Sequence, residues 1–182
     1  MNFKFKKTPI RGLIVVEPEV FKDERGECSE NYKASEFRKA GINDIFVQEN
    51  RSISCKGVLR GFRYQRAPHA QARLVRCGRG EIFEAAVDLR PRSRTYGTAY
   101  SLRLSEANGR MLYMPPGFAH AFLALTDEAE VVYKCSKEYA PAYEGGFRWN
   151  DPALKIKWPV KYPKVSVKDA WLPGLWEQLQ KR

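Results

Sequence analysis

The chain is broken into many short apolar segments, and this punctuation limits its fold more than any other feature. Leu13–Phe21, Ile45–Cys55, Gly57–Gln65, Gln71–Gly78, Glu81–Leu89, Thr98–Leu104, Arg110–Met114, Phe118–Leu125 and Glu130–Cys135 are rich in Val, Ile, Leu, Phe and Tyr. Each is bounded by Gly, Pro, Asn, Asp or Ser, which is how strands read in a sequence. Ser101-Leu102-Arg103-Leu104 and Glu130-Val131-Val132-Tyr133-Lys134 alternate with the two-residue period of a half-buried strand. Only Ala34–Ala40, ending at Gly41, and Leu175–Lys181, following Pro173-Gly174, read as helix. Strand signals spaced by about eight to twelve residues, without helices between them, predict a mainly β sandwich or barrel rather than a βαβ fold. The pattern leaves a jelly roll and an immunoglobulin-type sandwich both open. Pro152 to Pro163, rich in Pro and Lys, is expected to wrap the outside. With no repeat, low-complexity stretch or linker, residues 1–182 are expected to form one domain.

Charge narrows the choice of partner. The chain carries a formal net charge of +11, which excludes an acidic solvating tail and raises a polyanion partner. Between Arg51 and Arg94 lie ten arginines and Lys56 against Glu81, Glu84 and Asp88. Three acids cannot pair that many cations locally, and guanidinium forks suit phosphate oxygens, so an external anion is favoured over a solvated strand face. Nucleic acid is one such anion, with Phe62, Tyr64, Phe83, Tyr96 and Tyr100 as stacking candidates. Aromatics in strands are more often core, and no RNP-like or KH-like signature appears, so nucleic acid is set aside.

Metal and redox chemistry are also limited. A metal-holding barrel needs two or three clustered histidines, and this chain has only His69 and His120, far apart in sequence. No metal is expected. Cys28, Cys55, Cys77 and Cys135 form no CxxC pair and are expected to be reduced, mostly buried thiols of a cytoplasmic protein. After the start Met1-Asn2-Phe3-Lys4-Phe5-Lys6-Lys7 there is no apolar run of the ~7–15 residues a secretory signal needs. No run approaches the roughly eighteen apolar residues of a membrane helix, so no membrane association is expected.

Several strings are more specific than composition. They are Phe21-Lys22-Asp23-Glu24-Arg25-Gly26, Val47-Gln48-Glu49-Asn50-Arg51-Ser52, and Gly57-Val58-Leu59-Arg60-Gly61-Phe62-Arg63-Tyr64-Gln65. Further on come Pro68-His69-Ala70-Gln71-Ala72-Arg73-Leu74-Val75, Val87-Asp88-Leu89-Arg90, Pro116-Gly117-Phe118-Ala119-His120-Ala121-Phe122 and Trp149-Asn150-Asp151-Pro152. In this order the chain resembles the dTDP-4-dehydrorhamnose 3,5-epimerases and related nucleotide-sugar epimerases, from about Phe3 to Asp169. The resemblance implies a double-stranded β-helix (a cupin-like jelly roll) with short helices. It also implies a homodimer sharing strands near the N-terminus and a reaction without metal or organic cofactor. The substrate so implied is a dTDP-4-keto-6-deoxyhexose, whose 4-ketone acidifies the protons on C3 and C5. Such chemistry needs a base, an acid on the opposite face and donors to an enolate oxygen.

Carried over residue by residue, the resemblance puts Arg25, Gln48, Asn50 and Arg60 in contact with the nucleotide diphosphate and sugar. Tyr133 matches the proton donor, a sensible acid if its pKa is lowered, and His120 matches a second active-site histidine. His69, Tyr139, Glu144 and Lys168 fall in the substrate-binding set, while Asp169 matches the carboxylate that orients the base. Relatives place a histidine, the base itself, where this chain has Arg63, and a lysine where it has Arg73. Arginine stays protonated, with a pKa above about 12, so it cannot readily accept a carbon-bound proton. An Arg63–Asp169 ion pair is expected to keep the architecture while removing that base. Arg63 could still stabilise the enolate oxygen, and Arg73 falls in the role tied to the 4-keto oxygen. Three outcomes are consistent with this substitution: isomerisation using His69, His120 or Tyr133 as base, a narrower or different keto-sugar reaction, or nucleotide-sugar binding without turnover.

Overall fold

The computed structural model describes residues 2–180. Two antiparallel sheets face one another. The first holds, in spatial order, β1 (Phe3–Lys7), β2 (Ile14–Pro18), β10 (Met111–Met114), β7 (Arg73–Arg79), β12 (Ala129–Cys135) and β5 (Gln48–Ser54). The second holds β13 (Glu144–Gly146), β6 (Leu59–Gln65), β11 (Phe118–Ala124), β8 (Glu81–Asp88) and β9 (Ala99–Ser105). A separate hairpin pairs β3 (Val20–Asp23) with β4 (Gly26–Ser29). The helices α1 (Ala34–Lys39), α2 (Val167–Ala170) and α3 (Leu175–Gln180) are short. This is the expected mainly β jelly roll.

Strand alternation builds three apolar layers from the two sheets. Val15, Val75 and Leu112 point into the space between the sheets, where they meet Ile82, Ala86 and Phe118. Their chain neighbours Val16, Leu74 and Met111 point the other way, onto Phe37 of α1 and onto Phe3. On the far side, Ala85, Ala119 and Ala121 are covered by Phe147, Leu154, Leu175 and Leu179, with Ile156 and Trp158 packed against them. The segment from Pro152 to Pro163 thus covers the outer face of the second sheet, as expected. Coverage on both faces also explains why β10 and β11 are buried at every position.

The structure departs from the expected elements where local chemistry decides. The segment expected as one strand over Leu13–Phe21 is two, because β2 ends at Pro18, which has no N–H to continue a ladder. Phe3–Lys7 forms a strand that the charged start concealed, with Phe3 buried and Lys6 bonded to Glu17 at 2.7 Å. The one-turn helix α2 carried no periodic signal. The helix expected to end at Lys181 is described to Gln180, and Lys181 lies outside the described residues. All four cysteines are free, but only Cys77 and Cys135 are buried, which corrects the expectation of mostly buried thiols. Cys28 sits in the exposed hairpin and Cys55 in the turn after β5.

One buried charge organises the loop after β8. Asp88 is fully buried and accepts hydrogen bonds from Arg90 (2.8 and 2.7 Å), Ser93 (2.6 Å) and Thr95 (2.7 Å). Burial alone would push this carboxyl up, but the bonds from Arg90, Ser93 and Thr95 outweigh it and hold the pKa at about 2. A depressed carboxylate pKa gives stability that is full above the ordinary value of 3.8 and is lost as pH falls toward 2. Asp88→Asn is therefore expected to cost roughly 2–4 kcal/mol at neutral pH, read as a lower urea midpoint. The variant should also lose less additional stability than the parent protein on acidification through that window.

Candidate active site

The two sheets enclose a cavity of about 600 Å3 at one end of the interlayer space. One wall comes from the second sheet, with Arg60 and Arg63 of β6 and His120 and Phe122 of β11. The facing wall presents Gln48, Asn50 and Ser52 of β5, Tyr133 and Cys135 of β12, and Arg73 of β7 preceded by Gln71. The mouth is formed by Tyr139, Glu144, Lys164, Val165, Ser166 and Asp169. Alternation accounts for Gln48, Asn50 and Ser52, which share one strand face.

Alternation alone would place Arg60 and Arg63 on opposite faces, since they are three residues apart. A β-bulge removes the conflict: Ala121 pairs with Gly61 while the adjacent His120 pairs with Arg63, leaving Phe62 as the extra residue. Phe62 turns to the outer core, and both arginines line the cavity beside Phe122 and His120. The bulge depends on glycine. Gly61 has φ +120°, and a Cβ there would lie 2.6 Å from both the His120 carbonyl oxygen and the Ala121 Cβ.

Arg63 is ion-paired with Asp169, as expected, and lies 3.6 Å from Oε1 of Glu144. Glu144 also accepts from Lys168 Nζ (2.5 Å) and the Tyr139 hydroxyl (3.3 Å). Burial raises the Glu144 pKa, but Lys168 and Arg63 more than offset this and hold it below the ordinary value. Ser166 caps α2 by accepting from the Asp169 N–H (3.1 Å). Backbone bonds from Lys164 N–H to Gly57 (2.7 Å) and from Leu59 N–H to Lys164 (2.9 Å) tie the mouth segment to the start of β6.

Deeper in, His120 is buried and its Nδ1 lies 2.7 Å from Oε1 of Glu84, itself completely buried. The other carboxyl oxygen of Glu84 has no hydrogen-bond partner. Burial pushes the Glu84 carboxyl well up and the His120 imidazole well down, with Arg73 adding to the effect on His120. The imidazole is thus neutral at pH 7, and its Nε2 is the ring nitrogen left free of Glu84. Tyr133 meets the imidazole ring edge-on, with centroids 5.9 Å apart. Its phenol is raised by burial, against a smaller lowering by Arg73, so the lowered pKa expected for an acid is not what the structure gives. The hydroxyl therefore keeps its proton at neutral pH. Arg73 donates to the Gln71 side chain (3.0 Å) and the Arg63 carbonyl (3.0 Å), so its charge is held by neutral acceptors.

The family model described as dTDP-4-dehydrorhamnose 3,5-epimerase matches residues 7–177. The chain belongs to this family. The dTDP-4-dehydrorhamnose 3,5-epimerase of Methanothermobacter thermautotrophicus is 47% identical over 176 residues, covering 94% of this chain and 95% of its own length. The crystal structure of the Elizabethkingia anophelis enzyme superposes with a TM-score of 0.93 at 40% identity, covering 98% of this chain and 99% of that one. A Legionella pneumophila 3,5-epimerase, solved in complex with dTDP-4-keto-L-rhamnose, gives 0.91 at 40% identity, covering 95% and 93%.

Within this epimerase family fold, the cavity gathers Gln48, Asn50, Arg60, Arg63, Arg73, His120, Tyr133, Tyr139, Glu144 and Asp169. Lys168 reaches it through Glu144. Two expected contacts lie elsewhere. His69 stacks on Tyr143 at 4.3 Å and its carbonyl accepts from Gln65 (2.8 Å), so it shapes a loop outside the cavity lining. Arg25, in the β3–β4 turn, is exposed and paired with Asp23, away from the cavity of its own chain. Glu84 was not among the residues expected from the sequence. Its signal was a carboxylate in phase with Ile82 and Ala86, on the inward face of an apolar strand. No group of three or more His, Cys, Asp or Glu among the described residues is arranged to hold a metal.

The bulge gives a direct test of this geometry. Gly61→Ala is expected to cost more than about 1 kcal/mol, because the left-handed backbone and the contact with His120 and Ala121 both oppose a side chain. Thermal unfolding should register the loss. Nucleotide titration should weaken with it, since Arg60 and Arg63 can no longer share the cavity face.

Proposed function

We propose that this chain is a cofactor-independent epimerase of a dTDP-4-keto-6-deoxyhexose, moving protons at C3 and C5 beside the 4-keto group in deoxysugar biosynthesis. The observation that carries this reading is a neutral imidazole on one wall, His120, and a protonated phenol on the facing wall, Tyr133. Moving a proton at carbon requires a base and an acid within reach of the sugar, and the cavity holds both, the two rings meeting edge-on with centroids 5.9 Å apart. The relatives' names and the keto-sugar bound in the Legionella structure support the substrate class.

In this mechanism Arg73 stabilises the oxygen of the ketone as the C–H bond weakens, a role that needs a fixed positive charge rather than a base. His120 removes the proton through Nε2, and Glu84 fixes the ring through Nδ1. Tyr133, whose ring meets His120 edge-on, supplies the acidic proton. Arg63, in register with His120 on the adjacent strand, is held by Asp169 and Glu144 and contributes charge and closure of the mouth. Arg60 takes the diphosphate, with Gln48 and Asn50 reading hydroxyls or the base edge. Tyr139 and Lys168 contact the nucleotide at the mouth.

The assembly that fits this reading is a homodimer in which a second copy delivers its Arg25 hairpin. Support comes from the hairpin itself, where Phe21 is 51% exposed, and from the exposed Ile45, Val47 and Ile53 on and beside the edge strand β5. A two-stranded hairpin is marginal on its own and gains stability when packed. The chain acts as one domain over residues 1–182. Its biosynthetic substrate and four free thiols fit a cytoplasmic setting.

The Arg63–Asp169 pair favours a second reading, a nucleotide-sugar binding protein with impaired turnover or a single-carbon epimerase. Incubation with the keto-sugar in deuterium oxide, followed by proton NMR at C3 and C5, separates them. Exchange at both carbons is expected, and exchange at one alone gives the single-carbon reaction. No exchange with thymidine diphosphate binding intact would leave only the binding protein. His120→Asn should slow exchange by roughly 10²–10⁴-fold with little change in thymidine diphosphate affinity. The acid limb of the rate profile should lie below the usual histidine range, because burial keeps the imidazole neutral. Arg63→His should raise the rate by orders of magnitude if Arg63 is what limits turnover, whereas an unchanged rate means His120 already suffices.

A further inference from the structure

A second concavity, of about 1100 Å3, opens where the turn carrying Arg11 meets the loop after β8. Arg11, Arg90, Arg92 and Arg94 line it together with two prolines, Ser93 and Thr95. No carboxylate joins that lining among the described residues. Arg90 is already committed. It donates to Asp88 and, at 2.8 Å, to the Arg11 carbonyl, and its guanidinium lies 4.7 Å from the Phe118 ring centroid. It therefore acts as a brace that pins the two loops together.

The same network fixes which side chains face out. Ser93 and Thr95 turn inward to the buried Asp88, so the intervening Arg94 and the preceding Arg92 are left exposed on the other side. Arg11 is exposed as well. Three guanidiniums are thus presented around one concavity by loops that cannot easily relax apart. Their mutual repulsion is relieved by an anion, and a guanidinium fork matches phosphate oxygens bidentately. No aromatic residue lines the concavity, so it lacks the stacking platform that single-stranded nucleic acid uses. Proline walls and a bounded patch of charge favour a compact ligand.

We propose that this cleft binds a diphosphate group, carried either by free pyrophosphate or by a nucleoside diphosphate, at a site separate from the cavity between the sheets. Nothing in the lining reads a nucleobase, so both sources are recognised by the same phosphate contacts.

Calorimetric titration with pyrophosphate at low ionic strength tests this on the full chain. Arg92→Ser/Arg94→Ser removes only exposed side chains and should weaken one equivalent of pyrophosphate binding at least tenfold. That equivalent should persist in Arg60→Ala, which alters the other cavity, and should weaken with added salt as exposed ionic contacts do. Because neither Arg92 nor Arg94 lines the catalytic cavity, C–H exchange in the double variant should match the parent protein. Thymidine diphosphate in place of pyrophosphate identifies the source, and sensitivity of either ligand to the double variant supports the site. Pyrophosphate heat that is unchanged in the double variant, or that disappears entirely in Arg60→Ala, overturns the proposal. So does an oligonucleotide that displaces pyrophosphate from this cleft with far higher affinity.

Discussion

Ionisable groups placed between two sheets must find partners there, because an unpaired charge or donor in that low-dielectric space is expensive. The interlayer space here is divided by that requirement. One end is filled by Leu13, Val15, Val75 and Leu112, and the other holds Arg63 against Asp169, His120 against Glu84, and Arg73 against Gln71. The cavity is the region where apolar packing gives way to paired polar groups. Its shape follows from the pairing, since each partner comes from a different element: Asp169 from α2, Glu84 from β8, Gln71 from the approach to β7.

Two kinds of charge handling coexist. Arg63 and Asp169 form an ion pair that binds the mouth segment to the wall. Glu84 and His120 lie deeper, and burial moves both toward their neutral forms. That division suits a reaction in which a proton leaves carbon, because a neutral imidazole can accept it and the fixed cation of Arg73 can receive the developing negative charge. Arg63 therefore does not leave the cavity without a neutral imidazole, because His120 lies in register with it on the adjacent strand.

Much of the architecture could be read from the chain. Period-two alternation and turn residues located β5 through β12 to within a few residues. The resemblance carried by Arg60-Gly61-Phe62-Arg63 and Phe118-Ala119-His120 placed most of the cavity lining. What escaped did so for physical reasons. Phe3–Lys7 has lysines on its outer face, so its strand character is visible only as Phe3 and Phe5 in alternation. His69 sits in a motif yet turns to Tyr143, because its segment is fastened through Gln65 rather than through the cavity. Glu84 was hidden among apolar neighbours, and its partner lies 36 residues away in the chain, on the neighbouring strand β11. The raised phenol of Tyr133 could not be read at all, since burial is a property of the packed walls.

The mouth segment has a consequence for how the protein is made. Both sheets are complete once Gly146 is in place, yet Lys164 through Asp169, which close the cavity, are translated afterwards. During synthesis the walls can associate while Arg63 still faces an open trough without Asp169 opposite it. The residues that close the cavity are therefore added to walls whose strands are already complete.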